Sequence, residues 1–583
     1  MRRTKIVCTL GPASEAPATV RELVRAGMDV ARLNVSHGSA GEHLARLRAV
    51  RAAAGGECRQ VAVLLDLQGP EVRLGPLPGG SVHLREGQAF TLFTGSGQGG
   101  PDSAPVDYPG LPNQVQPGTP ILLDDGNLVL EVSAIAEGAV HCRVRAGGVL
   151  TGGKKLNLPG VRLALPAITA RDRDCLALAV EHGVEWVAAS FVREPADILA
   201  VRRLLEELGG DQPIIAKMET AEGVANLEDI LKVADGLMVA RGDLGVEMPP
   251  EDVPVIQKRL IARANRLGKP VITATQMLES MVVRPRPTRA EASDVANAIY
   301  DGSDALMLSA ETAVGSHPVE AVRTMARIAE RVEQDPETGD GAWRRARVPL
   351  RTVTDAISHA TCQMAADLEA SAIITATTSG HTARMVARYR PWVPVLAATP
   401  NPAVARRLAL VWGVRPVLTP GGGGTDRLVE QAIGAAAAEG LVADGDLVVV
   451  TAGVPAGVPG TTNLVKVETV GDILVRGTGI GGRPATGPVR LGRRPNEFRE
   501  RFQPGDILVA FATDRDFMPL LERAAGVVVE EGGMTSHAAV AGLSLGIPVV
   551  VGAEGAMGIL REGQKVTIDP ARGLVYRGQA RVP

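Results

Sequence analysis

Short apolar runs alternate with amphipathic segments through the first half of the chain. The runs occupy residues 5–10, 29–36, 61–67, 186–192, 213–219, 236–243, 270–276 and 305–311. Each is rich in Val, Ile, Leu and Ala and predicts a strand buried on both faces. The segments between them predict helices. Residues 195–208 place Ile198, Val201, Leu204 and Leu205 at helical spacing and stop at Gly209-Gly210. Residues 253–267 repeat the design and end at Gly268, and 42–53 and 318–332 fit as well. Eight βα units imply an α/β fold with a parallel sheet, and eight is the number that closes as a (β/α)8 TIM barrel. A doubly wound open sheet is the structural alternative.

One connection breaks the rhythm. Residues 71–162 are rich in Gly and Pro and contain short alternating stretches at 81–84, 89–93, 120–123 and 129–132. They predict a small β-barrel domain inserted into a barrel made of 1–70 and 163–342. A polar stretch after Val332, EQDPETGDGAW, suits a linker. Residues 343–472 predict an α/β domain with strands at 370–375, 393–398 and 447–451. Residues 475–583 predict a further α/β domain with strands at 507–510, 527–529, 549–551 and 565–568 and a helix starting near Thr535. The glycines at 421–424 read as a mobile loop.

The length of 583 residues gives a prior of about four domains, in keeping with this division. Lys and Arg number 62 against 65 Asp and Glu, a net charge of −3. That balance, without a basic block, argues against nucleic-acid phosphates and charged membrane surfaces as partners. Aromatics are only 3% of residues, which weakens any case for base stacking. The five cysteines (Cys8, Cys58, Cys142, Cys175 and Cys362) form no CxxC pair. They predict neither a disulfide framework nor a cysteine zinc site, and they favour a reducing, cytoplasmic setting. The N-terminal apolar run is too short for a signal peptide, and no apolar run is long enough to span a membrane.

A barrel of this kind carries its active site at the C-terminal ends of its strands, and side chains two apart on a strand share a face. The second run ends in Arg32, Asn34 and Ser36, followed by His37, and the third ends at Asp66. The later runs finish in Lys217 and Glu219, in Arg241 and Asp243, in Thr273 and Thr275, and in Ser309 and Glu311. Solvated, salt-bridged strand ends are the competing reading. Against it, apolar strands do not normally finish in charge so often. Glu219 and Asp243 on adjacent strands could grip one Mg²⁺, which uses one or two carboxylates plus substrate oxygens. The ammonium of Lys217 beside that metal suits a moving phosphoryl group or a developing enolate. Arg32 adds a fork for phosphate oxygens. Asn34, Ser36 and Asp66 form an oxygen-rich cluster fit for a monovalent cation. Amides after Arg241-Gly242-Asp243 could bind a carboxylate.

These residues carry a resemblance to the pyruvate kinase family. The matching strings are TKIVCTLGPAS (4–14), ARLNVSHG (31–38), LLDLQGPEVR (64–73), LNLPG (156–160), ASFVR (189–193), IIAKMET (214–220), LMVARGDLGVE (237–247), ATQMLESM (274–281), RPTRAEASDVANAIYDGSDALMLSAETAVG (286–315) and TAGVP (451–455). The resemblance covers about residues 1–470. It implies phosphoryl transfer from phosphoenolpyruvate to ADP, giving pyruvate and ATP, with a β domain as lid. It further implies that Arg32 and Lys217 hold the phosphoryl group and that Lys217 stabilises the enolate oxygen. Glu219 and Asp243 would bind Mg²⁺ or Mn²⁺, and Gly242, Asp243 and Thr275 the substrate carboxylate. Asn34, Ser36, Asp66 and the Leu67 carbonyl would form a K⁺ site, and His37, Arg73 and Lys154 would face the nucleotide. Enolate protonation falls to Thr275 or to water near Ser309 and Glu311. Gln68 and Ala310 depart from many members without removing a needed group. Glu71, where some members carry lysine, implies K⁺ dependence, because an ammonium there could replace the ion. Residues Thr377, Thr378, Ser379, Gly380, His381 and Thr382 resemble the family's effector loop, which implies that the α/β domain at 343–472 is regulatory and takes a phosphorylated allosteric effector. The family also implies a homotetramer.

Residues 532–552 resemble the phosphohistidine domain of phosphoenolpyruvate synthase and pyruvate phosphate dikinase, which makes His537 a possible phosphohistidine. Those enzymes phosphorylate it from an ATP-grasp domain, which has no counterpart here, so a structural or regulatory module is the favoured reading. The GxGxxG string at 477–482 lacks a following helix and predicts no dinucleotide site. Two alternatives stand beside phosphoryl transfer to ADP. One is a phosphotransferase acting on phosphoenolpyruvate through His537, and the other is a non-catalytic metabolite sensor.

Overall fold

The computed structural model describes residues 2–95, 97–335, 350–454, 461–498 and 500–582. Eight parallel strands close a barrel: β1 (Lys5–Thr9), β2 (Val30–Asn34), β3 (Ala62–Asp66), β4 (Trp186–Ala189), β5 (Ile214–Met218), β6 (Gly236–Ala240), β7 (Val271–Ala274) and β8 (Ala305–Leu308). The ring runs β1-β8-β7-β6-β5-β4-β3-β2, so every strand pairs with its sequence neighbours and β8 returns to β1. The open-sheet alternative is thereby excluded.

The two-residue strand period decides what enters the barrel. Val30, Ala62, Leu64, Trp186, Ala188, Ile215, Met238, Ile272, Ala274, Ala305 and Met307 share one core cluster inside it. Their neighbours pack outward against the helices. Continuing each inward row toward the strand end gives Arg32 and Asn34 on β2, Asp66 on β3, Ser190 after β4, and Lys217 and Glu219 on β5. The same alternation that fills the barrel with Leu and Met below therefore delivers charge at its mouth.

The helices follow from their caps. Ser39 opens Ala40–Gly56 with a capping box through Glu42, and Thr169 opens Ala170–Glu181 with one through Asp172. Asp172 is fully buried and also accepts the backbone N–H of Gln68 at 3.0 Å and of Gly69 at 3.3 Å. One cap thus fixes both a helix and the loop leaving β3. Pro195–Glu207 and Val253–Arg266 form as predicted. Pro318–Glu333 runs one residue beyond the expected helix. Glu333 is not linker: it is buried and accepts the amides of Arg3 at 2.7 Å and Thr4 at 2.6 Å. The rest of the expected linker lies mainly outside the described residues.

The inserted segment forms a seven-stranded sheet ordered Val72–Arg73, Lys155–Asn157, Pro120–Leu123, Leu128–Ala136, Ala139–Ala146, Ala89–Thr94 and Ser103–Val106. An antiparallel bridge between Leu74 and Val106 joins its two edges. Its own core includes Phe90, Leu92, Ile121, Leu130 and Val140.

The chain divides into two compact units. The first is Met1–Ala356 with Thr378–Trp392 and Asn401–Pro416, and the second is Ile357–Thr377 with Val393–Pro400 and Val417–Pro583. A five-stranded sheet runs in the order Val414–Leu418, Val395–Thr399, Ala372–Ala376, Leu447–Gly453 and Thr462–Thr469. An eight-stranded sheet follows, formed by Ile473–Arg476, Leu574–Arg577, Lys565–Asp569, Ala485–Leu491, Ile507–Ala510, Gly526–Val529, Val549–Val551 and Thr478–Ile480. No helix follows the glycine string at 477–482. A Cβ on Gly479 would sit 1.9 Å from the Pro570 carbonyl oxygen, so glycine serves close backbone approach there. The glycines at 421–424 lie in a loop that opens the helix Thr425–Ala438.

Candidate active site

At the mouth, the charged side chains of β2, β3 and β5 meet. Arg32 donates to Asp66 Oδ2 from Nε at 2.7 Å and from Nη2 at 2.6 Å, and to Thr9 Oγ1 at 3.0 Å. Asp66 is fully buried. Lys217 Nζ stands 3.5 Å from the other oxygen of Asp66, 3.3 Å from Glu219 Oε2 and 2.7 Å from Ser190 Oγ. Asp66 therefore lies between a guanidinium and an ammonium, which fixes both cations toward the same space. Burial works to lower the Lys217 pKa, but Asp66, Glu219 and Asp243 outweigh it and hold the ammonium above its usual range.

Glu219 is fully buried, and Oε1 accepts the Phe191 amide at 2.6 Å. Burial pushes its carboxyl upward and Lys217 opposes that push. Asp243 sits in the first turn of the helix Arg241–Glu247. Burial works to raise its pKa, yet the Lys155 ammonium 2.6 Å from Oδ1 and the more distant Lys217 hold it below the ordinary range. Lys155 also lies 4.1 Å from the centre of the Phe191 ring. Next to it, Asn157 donates to Glu247 at 3.2 Å. Two strand residues of the inserted sheet thus touch the helix that carries Asp243.

Thr275 is held in a left-handed conformation, φ +69°, with Gln276 at +55°. For a β-branched residue this costs about 1–3 kcal/mol. Arg241 holds the strained turn in place. Its Nε donates to the carbonyls of Ala274 at 3.3 Å and Thr275 at 3.2 Å, and Nη1 pairs with both oxygens of Asp294 at 2.9 and 2.7 Å. The Thr275 hydroxyl then accepts the Gly242 amide at 2.8 Å and donates to the Ala274 carbonyl at 2.6 Å. Gly242, Asp243 and Thr275 are brought together as one rim.

Ser309 and Glu311 stand at the end of β8. Glu311 is buried, and its two oxygens accept the Ser309 amide at 2.7 Å and the Leu278 amide at 3.1 Å. Its carboxylate organises two backbone turns. Ser309 Oγ is buried with no hydrogen-bond partner. Asn34 accepts the Ser36 amide at 3.2 Å, and the Leu67 carbonyl accepts the Ser190 hydroxyl at 2.7 Å. Ser190 had no assigned role in the sequence, although it continues the inward row of Trp186 and Ala188.

The nucleotide-facing residues are less gathered. Arg73 pairs with Glu71 through Nε at 2.8 Å and donates to the Gly153 carbonyl at 3.0 Å. Lys154 pairs with Asp124 at 2.6 Å within the inserted sheet, and His37 is exposed. Lys155, which the sequence reading passed over, is the lysine that reaches Asp243. A cavity of about 410 Å³ opens beside it, lined by Glu71, Asn157, Phe191, Arg193 and Glu247 among others.

The donor set fits a divalent cation. The buried Glu219 Oε2 and Asp66 Oδ1 accept no hydrogen bond among the described residues and face the Lys217 ammonium at 3.3 and 3.5 Å, and the Lys155 ammonium sits on Asp243. Among the described residues no cluster of three or more His, Cys, Asp or Glu could hold a metal. Two carboxylates completed by substrate oxygens is the arrangement Mg²⁺ accepts.

Of the effector-loop residues, Thr377 is buried and Thr378 and Ser379 are exposed; Gly380 at φ +79° leads into the helix His381–Ala387, where burial lowers the His381 pKa and Thr382 is buried. His537 opens the helix His537–Leu545 after Ser536, whose side chain accepts the Ala539 amide, and its Nδ1 lies 3.1 Å from Thr513 Oγ1.

Comparison with known proteins places this geometry. A family described as "Pyruvate kinase, barrel domain" matches residues 1–322, and "Pyruvate kinase, alpha/beta domain" matches 355–468. "PEP-utilising enzyme, mobile domain" matches 502–573. The chain is 51% identical to a pyruvate kinase of Geobacillus stearothermophilus and 50% identical to one of Bacillus licheniformis, each over 100% of both chains. It is 47% identical to pyruvate kinase 2 of Synechocystis over 99% of this chain and 98% of the relative. With a closed barrel carrying lysine and two carboxylates at its mouth, and these matches along its length, the chain belongs to the pyruvate kinase family.

Proposed function

We propose that the barrel mouth transfers the phosphoryl group of phosphoenolpyruvate to ADP, giving ATP and pyruvate. The observation that carries this reading is the cluster of Lys217, Glu219 and Asp66, with Arg32 on the far side of Asp66. Arg32 and Lys217 bind the phosphoryl oxygens. Lys217 stays protonated at neutral pH because of its acidic neighbours, so it stabilises the enolate oxygen by charge rather than acting as a base. The Gly242–Asp243 turn and the Thr275 hydroxyl hold the substrate carboxylate. Glu219 and Asp243 would hold Mg²⁺ or Mn²⁺, which supplies charge neutralisation for the phosphoryl oxygens. Asn34, Ser36, Asp66 and the Leu67 carbonyl would hold K⁺. Arg73 and His37 face the nucleotide, with Lys154 and Lys155 on the lid. The enolate is protonated from Thr275 or from water near Ser309 and Glu311.

The exposed Thr378 and Ser379 hydroxyls are where a phosphorylated effector would be met. The five cysteines, none of them in a disulfide, accord with a cytoplasmic enzyme, and the family likeness with a homotetramer. Among the described residues no helix is long and apolar enough to cross a membrane.

The test is pyruvate formation from phosphoenolpyruvate and ADP, measured for the full chain and for His537→Ala. Turnover that persists in the variant supports the barrel. Turnover that vanishes with His537 assigns the chemistry to the C-terminal domain instead.

A further inference from the structure

At the opposite end of the barrel a smaller polar cavity opens. Its volume is about 100 Å³, room for about three waters or one tetrahedral oxyanion. Trp186, Pro213, Val404, Leu408 and Val411 give it apolar walls. Trp186 begins β4, Pro213 precedes β5 and Asp235 precedes β6, so the cavity lies below the N-terminal strand ends, away from Lys217. The helices His381–Ala387 and Pro402–Arg407 bring Arg384 and Arg407 to it, and Ser379 lines it as well.

Three guanidinium groups and two carboxylates line this space. Both carboxylates are already engaged. Asp235 Oδ2 accepts from Arg202 at 2.6 Å and from the Ile214 amide at 2.9 Å. Asp211 pairs with Arg407, and its side chain is 83% exposed at the rim. Arg407 Nε is buried with no hydrogen-bond partner among the described residues. Arg384 makes no side-chain hydrogen bond or ion pair among the described residues. Burial lowers its pKa, Asp235 offsets this, and Arg407 adds to it. Lys269, held by the Leu231 and Ala234 carbonyls, is a further cation near Arg384. The lining therefore carries one uncompensated positive charge beside apolar walls, where a charge is costly until it is paired.

We propose that this cavity is a binding site for a small tetrahedral oxyanion, phosphate or the terminal phosphate of a small organic phosphate. Arg384 and Arg407 supply the donors. The anion would tie the helices His381–Ala387 and Pro402–Arg407 to the base of the barrel. The site is distinct from the loop at 377–382, of which only Ser379 lines the cavity.

Two measurements on the full chain test this. In crystals soaked with selenate, anomalous scattering is expected to show selenium in this cavity. In calorimetric titration with inorganic phosphate, carried out on Lys217→Met to weaken anion binding at the mouth, adding Arg384→Met is expected to weaken binding about tenfold or more. Arg384→Lys keeps the charge but loses the fork, and should bind with intermediate strength. Displacement of selenate by inorganic phosphate alone marks a site for the free ion. Displacement also by glycerol 3-phosphate marks a site for a terminal phosphate. A selenium signal absent from this cavity, or phosphate affinity unchanged in both Arg384 variants, overturns the proposal.

Discussion

The Lys155 ammonium lies 2.6 Å from Asp243 Oδ1, on one of the two carboxylates that would hold the divalent cation. Lys155 comes from the inserted sheet and Asp243 from the helix after β6. The ammonium's positive charge beside that carboxylate repels a divalent cation, so the pair competes with metal. Lys155→Met is expected to tighten Mn²⁺ binding in the absence of substrates by about tenfold. Titration followed by electron paramagnetic resonance reads this directly. Unchanged or weaker Mn²⁺ binding would show that Lys155 does not oppose the metal.

Arg241 keeps Thr275 in its strained conformation through the Ala274 and Thr275 carbonyls and through Asp294. It touches no substrate group in this account, so it is a positioning residue. Arg241→Lys loses the fork that reaches carbonyls and carboxylate together. The expected outcome is a stability loss of about 2 kcal/mol, with KM for phosphoenolpyruvate raised more than kcat is lowered. Urea unfolding and steady-state kinetics together check it. A loss in kcat alone would contradict the positioning role.

Glu71 pairs with Arg73, and under the proposed function a lysine at this position could carry the charge that K⁺ would otherwise supply. Activity is expected to depend on K⁺, and Glu71→Lys to relieve that dependence. Initial rates in K⁺ and in tetramethylammonium check it. Equal wild-type rates in the two salts would contradict the assignment.

Lys5 is buried, with Nζ donating to the Val414 carbonyl at 2.8 Å, and burial lowers its pKa to about 8. Between that value and the unfolded value near 10.4, the native state holds fewer protons than the unfolded chain. Stability therefore rises with pH across this window. The wild type should gain on Lys5→Met by up to about 3 kcal/mol from pH 8 to pH 10.5. Denaturant unfolding at several pH values measures it. A gap that stays constant with pH would contradict the burial argument.

The barrel was legible because its strands are apolar and its helices carry period-3.6 faces, two signals that do not overlap. The mouth was legible because the inward rows end in charge. Two strands of the five-stranded sheet were not. Val414–Leu418 contains Pro416 and lies at an edge, and Thr462–Thr469 is polar and half-exposed. Which of the neighbouring Lys154 and Lys155 meets Asp243 depends on the pairing of Lys155–Asn157 with Val72–Arg73, which no local pattern encodes. Glu311 stands at a strand end as expected, and the contact of its carboxylate with the Leu278 amide, 33 residues away, is one that no local pattern encodes.

The direct test of the account is Lys217→Met. Pyruvate formation from phosphoenolpyruvate and ADP should fall by about a thousandfold or more, while the folded barrel and phosphoenolpyruvate binding at the Gly242–Thr275 rim persist in part. Turnover within about tenfold of wild type in a folded variant would contradict it.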